Sequence, residues 1–278
     1  MGNHYVPQHY LKGFAINGRL WAHDRESRRS FATQPKVVAN ETEMWPDDVE
    51  QFLANEIEAP AVAAIDKVRA RMPLNQDDKA RLARYIINLW KRVPDARRRA
   101  GEKLPGVADD VRENLHTALD MLVANGHAPS ALAEERRQQI DEIIARYKAE
   151  RPNHIWQSNL AAEHQLPIVE ALATMEWKFL CTDRLHYLTS DNPVFFFEHE
   201  GIGNPTSELT IPFSSSVALW ATRRRRVGPE YLSARAGAVR EINRRSTYNA
   251  TRFVFSAKNE PWILPFLCKG NWRLSRLQ

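Results

Sequence analysis

Two stretches far apart in the chain hold polar side chains among apolar ones, and together they supply what acid–base and phosphate chemistry needs. The first is Asn3 to Ala15, NHYVPQHYLKGFA, with His4, Gln8 and His9. The second is Thr189-Ser190-Asp191-Asn192-Pro193, set between two apolar runs. Burying an aspartate costs free energy unless a partner satisfies it. Asp191 therefore calls for a histidine, an arginine or a metal ion, as a base, an orienter or a ligand. Imidazole changes charge near neutral pH, which makes His4 the candidate general acid or base. His4 and His9 are five apart, not the i, i+4 spacing that turns two imidazoles toward one metal. Gln8 stands four after His4 and shares its face if a helix begins there. Glu58 supplies a second carboxylate. Arg92 ends an apolar helix, where its charge suits the helix C-terminus; a guanidinium there also matches phosphate bidentately.

Each of these has a plainer reading. Ser190-Asp191-Asn192-Pro193 makes a good turn, since Asp and Asn side chains bond their own backbone. The histidines fit a packed arm, and Glu56 and Glu58 point apart on a helix, so one of them faces solvent. Arg223 to Arg226, beside Arg244, Arg245 and Arg252, reads either as a solvated loop or as a phosphate path. Glu176-Trp177-Lys178 has the E-x-K spacing of restriction-type nucleases, but such a site needs an acid on a preceding strand, and the upstream segment reads as helix. No phosphate-cradling glycine loop, nucleophile elbow or H-E-x-x-H is present.

The 278 residues carry a formal charge of +5, with 43% hydrophobic and 26% charged residues. Those proportions support a sizeable core, and the basic balance favours an anionic partner, nucleic acid or another phosphate-bearing ligand. Cys181 and Cys268 form no C-x-x-C pair, which excludes a cysteine-rich zinc site. No apolar run approaches a membrane span, so the expectation is a cytoplasmic, bacterial-style protein.

The elements that must position these groups fall into three parts of one domain. Residues 1–48 read as an arm and hairpin, 49–173 as helices and 174–278 as a β-rich region. In the first part, Pro7 starts a short helix that Gly13 stops. Asn17-Gly18 signals a hairpin turn, with strands over Arg19–Asp24 and Phe31–Val38. In the second, Val49, Phe52, Leu53 and Ile57 recur at helical spacing, and Pro60 kinks or restarts that helix. Asn75 or Gln76 caps the next helix, which Val93-Pro94 ends or bends. Gly101, Pro105 and Gly106 break the basic stretch after Arg97. In the third, strands are expected near 177–181, 186–189, 194–197, 208–212, 217–222 and 253–256, with a helix over Val239–Tyr248. Strands at both ends with helices between predict an α+β fold, the terminal segments meeting in a mixed sheet.

His4-Tyr5-Val6-Pro7-Gln8, followed by Tyr10-Leu11 and Phe14, resembles the opening of the family known as domain of unknown function 4238. The likeness continues through Leu20-Trp21 and Val38-Ala39, which look like its first hairpin. Glu58 looks like its first-helix acid, and Arg92 with Pro94 like its second-helix ending. Thr189-Ser190-Asp191-Asn192-Pro193-Val194, Ile211-Pro212-Phe213-Ser214 and Asn243 also fit the pattern. Trp45 departs from it, where the family usually has tyrosine or phenylalanine. The resemblance implies a fold and a site location, and no reaction.

The sequence thus predicts a hydrolase of phosphodiester bonds, nuclease-like, of the kind used by toxins or phage-defence effectors. In it His4, Asp191 and Glu58 are catalytic, and Gln8, Arg92, Ser190, Asn192, Asn243 and Arg252 hold substrate. The cofactor is open, a divalent metal ion being one that such chemistry can use; Asp191 either orients His4 or holds that ion. The alternative is a non-catalytic ligand- or protein-binding module in which His4, Asp191 and Arg92 form a structural network.

Overall fold

The computed structural model describes residues 2–150, 152–161, 166–197, 201–225, 227–270 and 272–277. The chain forms two compact units, one from Met1–Pro94 with Leu160–Gln278 and one from Asp95–Asn159.

In the larger unit, β1 (Gly2–His4) leads through Pro7 into α1 (Gln8–Lys12). Gly13 follows because nothing larger fits: a Cβ there would lie 2.3 Å from the Phe213 carbonyl oxygen. Asn17 and Gly18 both have positive φ, 51° and 75°, the geometry a two-residue hairpin turn requires. β2 (Leu20–Asp24) and β3 (Arg29–Thr33) then pair antiparallel. β4 (Asn40–Thr42) pairs with β1.

Helix α2 (Asp47–Phe52) passes through a wide π-helical turn, Leu53–Glu58, into α3 (Ala59–Arg69). Pro60 sits in the first turn of α3, where its missing N–H costs nothing. α4 (Gln76–Arg92) opens on a capping box, with Asn75 Oδ1 accepting from Asp78 N at 2.7 Å and Asp78 Oδ2 accepting from Asn75 N at 3.1 Å. Its buried face carries Leu82, Tyr85, Ile86 and Leu89. Val93 is extended, as the residue before a proline prefers, and ends α4.

The smaller unit holds α5 (Pro94–Ala124), α6 (Ser130–Glu150) and the start of α7 (Asn153–Ala161). The expected break after Arg97 does not occur, because α5 runs through Gly101, Pro105 and Gly106. Pro105 removes one backbone hydrogen bond. Upstream, Arg98 reaches Asp95 and Glu102 at 2.6 Å each, pairs that support the helix from its side chains.

The chain returns to the larger unit through α8 (Leu166–Ala173), β5 (Glu176–Cys181), β6 (Thr189–Ser190) and β7 (Phe195–Phe196). Then come β8 (Glu208–Pro212), β9 (Val217–Thr222), β10 (Tyr231–Ser233), α9 (Ala236–Asn249), β11 (Phe253–Ser256) and α10 (Ile263–Cys268). The fold is α+β. The first hairpin and the late strands share a four-stranded sheet in the order β3-β2-β11-β6, antiparallel throughout. A five-stranded sheet, β10-β5-β9-β8-β7, is the mixed one, with its β10–β5 pair parallel. No helix among the described residues is long and apolar enough to cross a membrane.

Candidate ligand-binding site

The N-terminal arm and the Thr189–Pro193 motif meet. The Tyr10 hydroxyl donates to the Pro212 carbonyl (2.6 Å) and accepts from Thr189 Oγ1 (2.8 Å), fully buried. Arg69 clasps α1 from the other side, donating to the carbonyls of His9 (2.8 Å), Tyr10 (3.0 Å) and Phe213 (3.1 Å). Arg92 secures the start of the arm. Its Nε donates to Tyr5 O (3.1 Å), its Nη2 to His4 O, and its Nη1 to Glu58 Oε1 at 2.7 Å. The Arg92 guanidinium also lies over the Trp45 ring. Arg92 and Glu58 are thus turned inward as one clamp. His4 itself faces the Lys36 carbonyl, with Nε2 3.2 Å away, and the Gln8 amide nitrogen at 3.4 Å.

Asp191 is engaged elsewhere. One carboxylate oxygen accepts from Thr251 N (2.8 Å), the other from Arg252 N (2.7 Å) and Phe253 N (2.8 Å). Burial pushes its pKa up to about 6, against the opposing pull of those three N–H groups. No hydrogen bond or ion pair among the described residues joins His4 to Asp191. The facing pair expected from the sequence is not formed, because each side chain already serves a neighbouring backbone segment. Ser190 Oγ donates to Asn192 O (2.8 Å) and accepts from Asn192 N (3.2 Å), the turn foreseen as the plainer reading. The Asn192 carbonyl also takes Asn249 Nδ2 at 2.7 Å.

The arginine path does not assemble either. Arg252 makes a fork to Asp24, at 3.1 and 2.7 Å, and these bonds hold the Asp24 carboxyl well below the usual carboxylate range. Arg245 is buried against Glu208 (2.6 Å) and over the Phe195 ring. Arg223 donates to Ala171 O at 2.6 Å. Arg226 lies outside the described residues. Among the described residues no three or more His, Cys, Asp or Glu gather as cation ligands.

One predicted residue, buried itself, borders a cavity. Asn243, on α9, lines a cavity of about 550 Å³. α9 also contributes Val239, Arg240 and Arg244, a set at i, i+1, i+4 and i+5 that shares one face. The loop after β5 contributes Arg184, Leu185 and His186, and the segment after β11 contributes Lys258, Glu260, Trp262 and Phe266. Asn243 holds the first of these loops against α9, because its Oδ1 accepts from Leu188 N (2.8 Å) and its Nδ2 donates to His186 O (2.9 Å). α10 is seated by Ile263 and Leu267, which pack on Leu188, Ala250 and Val254. That leaves Trp262 half exposed at the rim, its ring edge-on to Phe266 at 5.5 Å. The lining carries four cations against one carboxylate, and that carboxylate, Glu260, accepts the Trp262 indole N–H.

Arg184, Arg240, Lys258 and the roles of His186 and Trp262 were missed from the sequence. Two local signals could have found part of the set: Arg240 and Arg244 at i, i+4, and Trp262 and Phe266 at the same spacing. A buried histidine, His23, was also missed. It sits between Ser30 Oγ and Ser256 Oγ, 2.8 Å from each, and burial lowers its pKa to about 4.

Fold and cavity together define an α+β protein with a basic, aromatic-rimmed pocket on the last long helix. By sequence the chain belongs to the family described as protein of unknown function (DUF4238), whose profile matches residues 3–260. No curated protein and no solved structure matches it.

Proposed function

We propose that this protein binds a nucleotide unit, free or at the end of a single-stranded nucleic acid, in the cavity beside α9. The observation that carries the reading is the lining: four cations, one carboxylate and an exposed indole around about 550 Å³. That volume falls in the usual range for small-molecule sites, about 300–1,000 Å³. Arg184, Arg240 and Lys258 have no ion-pair partner among the described residues, so their charge is available to a phosphate. Arg244 is paired with Glu241. Trp262 offers a face on which any base can stack. Of the residues expected to hold substrate, Asn243 acts here by positioning His186. Arg92, Ser190 and Asn192 are buried and hold the arm and the turn after β6, Arg252 pairs with Asp24, and Gln8 is exposed on α1.

A second reading, phosphodiester hydrolysis of nuclease type, is favoured by one observation. His186 stands in the lining among the cations, where an imidazole can take a proton from an attacking water. Isothermal titration with a nucleoside 5′-monophosphate, the bare nucleoside and inorganic phosphate tests the first reading. The nucleotide is expected to bind tightest, and Arg240→Ala to weaken it about 10-fold or more. Equal binding of all three, or an unchanged Arg240→Ala, refutes it. The same protein incubated with labelled RNA and DNA, with and without divalent metal, tests the second. Hydrolysis predicts products that His186→Ala abolishes while binding persists.

A further inference from the structure

We propose that the groove between α9 and the five-stranded sheet is a peptide-binding site, filled in cis by Ser275-Arg276-Leu277 and open to another segment of that pattern when these residues release it. Three ionic side chains line it: Glu208 at the start of β8, with Glu241 and Arg245 one turn apart on α9, each 4% exposed or less. A buried charge is costly unless it is paired and hydrogen-bonded. These three pair first with one another. Arg245 Nη2 lies 2.6 Å from Glu208 Oε1 and its Nε 3.6 Å from Glu241 Oε1, while Arg244 pairs with Glu241 from the rim. Their remaining bonding capacity goes to the backbone of residues 275–277. Glu241 Oε1 accepts from Ser275 N (2.8 Å), Arg245 Nη2 donates to Ser275 O (2.6 Å), and Glu208 Oε1 accepts from Leu277 N (3.2 Å).

Bonds to main-chain N–H and C=O groups supply affinity without reading a side chain, and holding alternate residues is how an extended peptide is gripped. Two further contacts supply selectivity. Leu277 joins the buried cluster of Leu180, Ala218, Trp220 and Val239. Arg276 donates to Thr206 O, and its guanidinium lies 4.9 Å over the Phe197 ring. The partner that fits is therefore a peptide with a small residue, an arginine and a leucine in succession.

Four observations separate the occupant from the groove. Of the described residues 272–277, Leu277 alone is buried, so the segment leaves by withdrawing one side chain. The ion pairs among Glu208, Glu241 and Arg245 do not run through the segment, so the groove stands without it. A site ordered beforehand binds at a lower entropic cost. The segment also leaves room, because a cavity of about 730 Å³ runs beside it, bordered by Trp220, Leu232 and Ala238 as well as Ser275 and Leu277. Finally, the groove residues fall within the residues 3–260 that the family profile covers, and the segment that fills the groove falls outside them.

Fluorescence anisotropy of a labelled peptide of residues 271–278, titrated with the full chain, tests this. Leu277→Asp in the chain releases its own segment, since a carboxylate is costly among those apolar side chains. The peptide is expected to bind that variant at least about 10-fold tighter than the wild type, whose tethered segment competes at an effective concentration of about millimolar. A peptide carrying the same Leu277→Asp change is expected to bind neither. Ser275→Pro removes the N–H that Glu241 accepts and releases the segment independently, should Leu277→Asp lose its circular dichroism. Hydrogen exchange of the wild type needs no variant: the amides of Ser275 and Leu277 are expected to exchange by local opening, faster than those of α9. A peptide that fails to bind the folded variants, or binds them no better than the wild type, overturns the proposal. Exchange at Ser275 and Leu277 only when α9 itself unfolds overturns it as well.

Discussion

Replacing Asp191 with alanine exposes a conflict built into the junction of β6 and β11. The carboxylate ties Thr251, Arg252 and Phe253 to the turn after β6 through three short bonds. Losing it leaves three backbone N–H groups without this acceptor, at about 1–3 kcal/mol for each that stays dry. Burial works the other way. A pKa pushed up to about 6 from 3.8 means that the folded state binds a proton the unfolded state lacks between those values. Stability from Asp191 therefore falls as pH rises from about 4 to 6, by about 3 kcal/mol in all. At pH 7.5 the two effects partly offset, and Asp191→Ala is expected to cost about 3 kcal/mol. At pH 4.5 the wild type has regained most of the ionisation term and the variant has not. The difference should widen there by about 2 kcal/mol. His23, whose pKa burial lowers to about 4, contributes in the opposite sense. Its stabilisation is complete above about 6.5 and is lost as pH falls toward 4, so the wild-type curve alone would look flat. Subtracting the variant cancels His23 and isolates Asp191. Urea unfolding of both proteins at the two pH values is the assay. A difference that is constant, or larger at pH 7.5, would refute the reasoning, because it would mean the three N–H donors outweigh burial.

Two further substitutions test how the arm is held. Arg92→Ala leaves Glu58 and the carbonyls of His4 and Tyr5 without their buried donor. A loss of about 3–5 kcal/mol in urea unfolding is expected, and under 1 would show that the clamp does not hold the arm. Gly13→Ala drives a methyl to 2.3 Å from the Phe213 carbonyl and 2.8 Å from Arg69. Overpacking of this kind costs about 1–3 kcal/mol, read as a lower melting temperature, and an unchanged melting point would mean the arm is not seated against Phe213.

Much of the scaffold was legible because its signals are local. Alternation over Leu20–Asp24, the Asn17-Gly18 turn, the Asn75 cap and the Val93-Pro94 boundary each depend on neighbours in the chain. β4 was missed because Asn40-Glu41-Thr42 is short and polar, and pairing with β1 makes it a strand. Pro105 carries the local signal of a breaker, though a long helix with side-chain support tolerates it. The site was harder for a related reason. His4, Glu58, Arg92 and Asp191 have the right types, but their partners are mostly backbone groups, which look alike in every sequence. The cavity draws on three segments whose convergence depends on Asn243 holding a loop and on Ile263 and Leu267 seating α10. No spacing rule joins Arg184 to Lys258.

Salt dependence of binding reaches the central claim most directly. Fluorescence anisotropy of a labelled single-stranded oligonucleotide, titrated at a series of salt concentrations, reports how many phosphate contacts the protein makes. Arg240→Ala with Lys258→Ala should weaken binding and flatten the slope of log affinity against log salt by about 1.4, about 0.7 for each cation removed. An affinity and slope identical to the wild type would contradict phosphate recognition by this cavity.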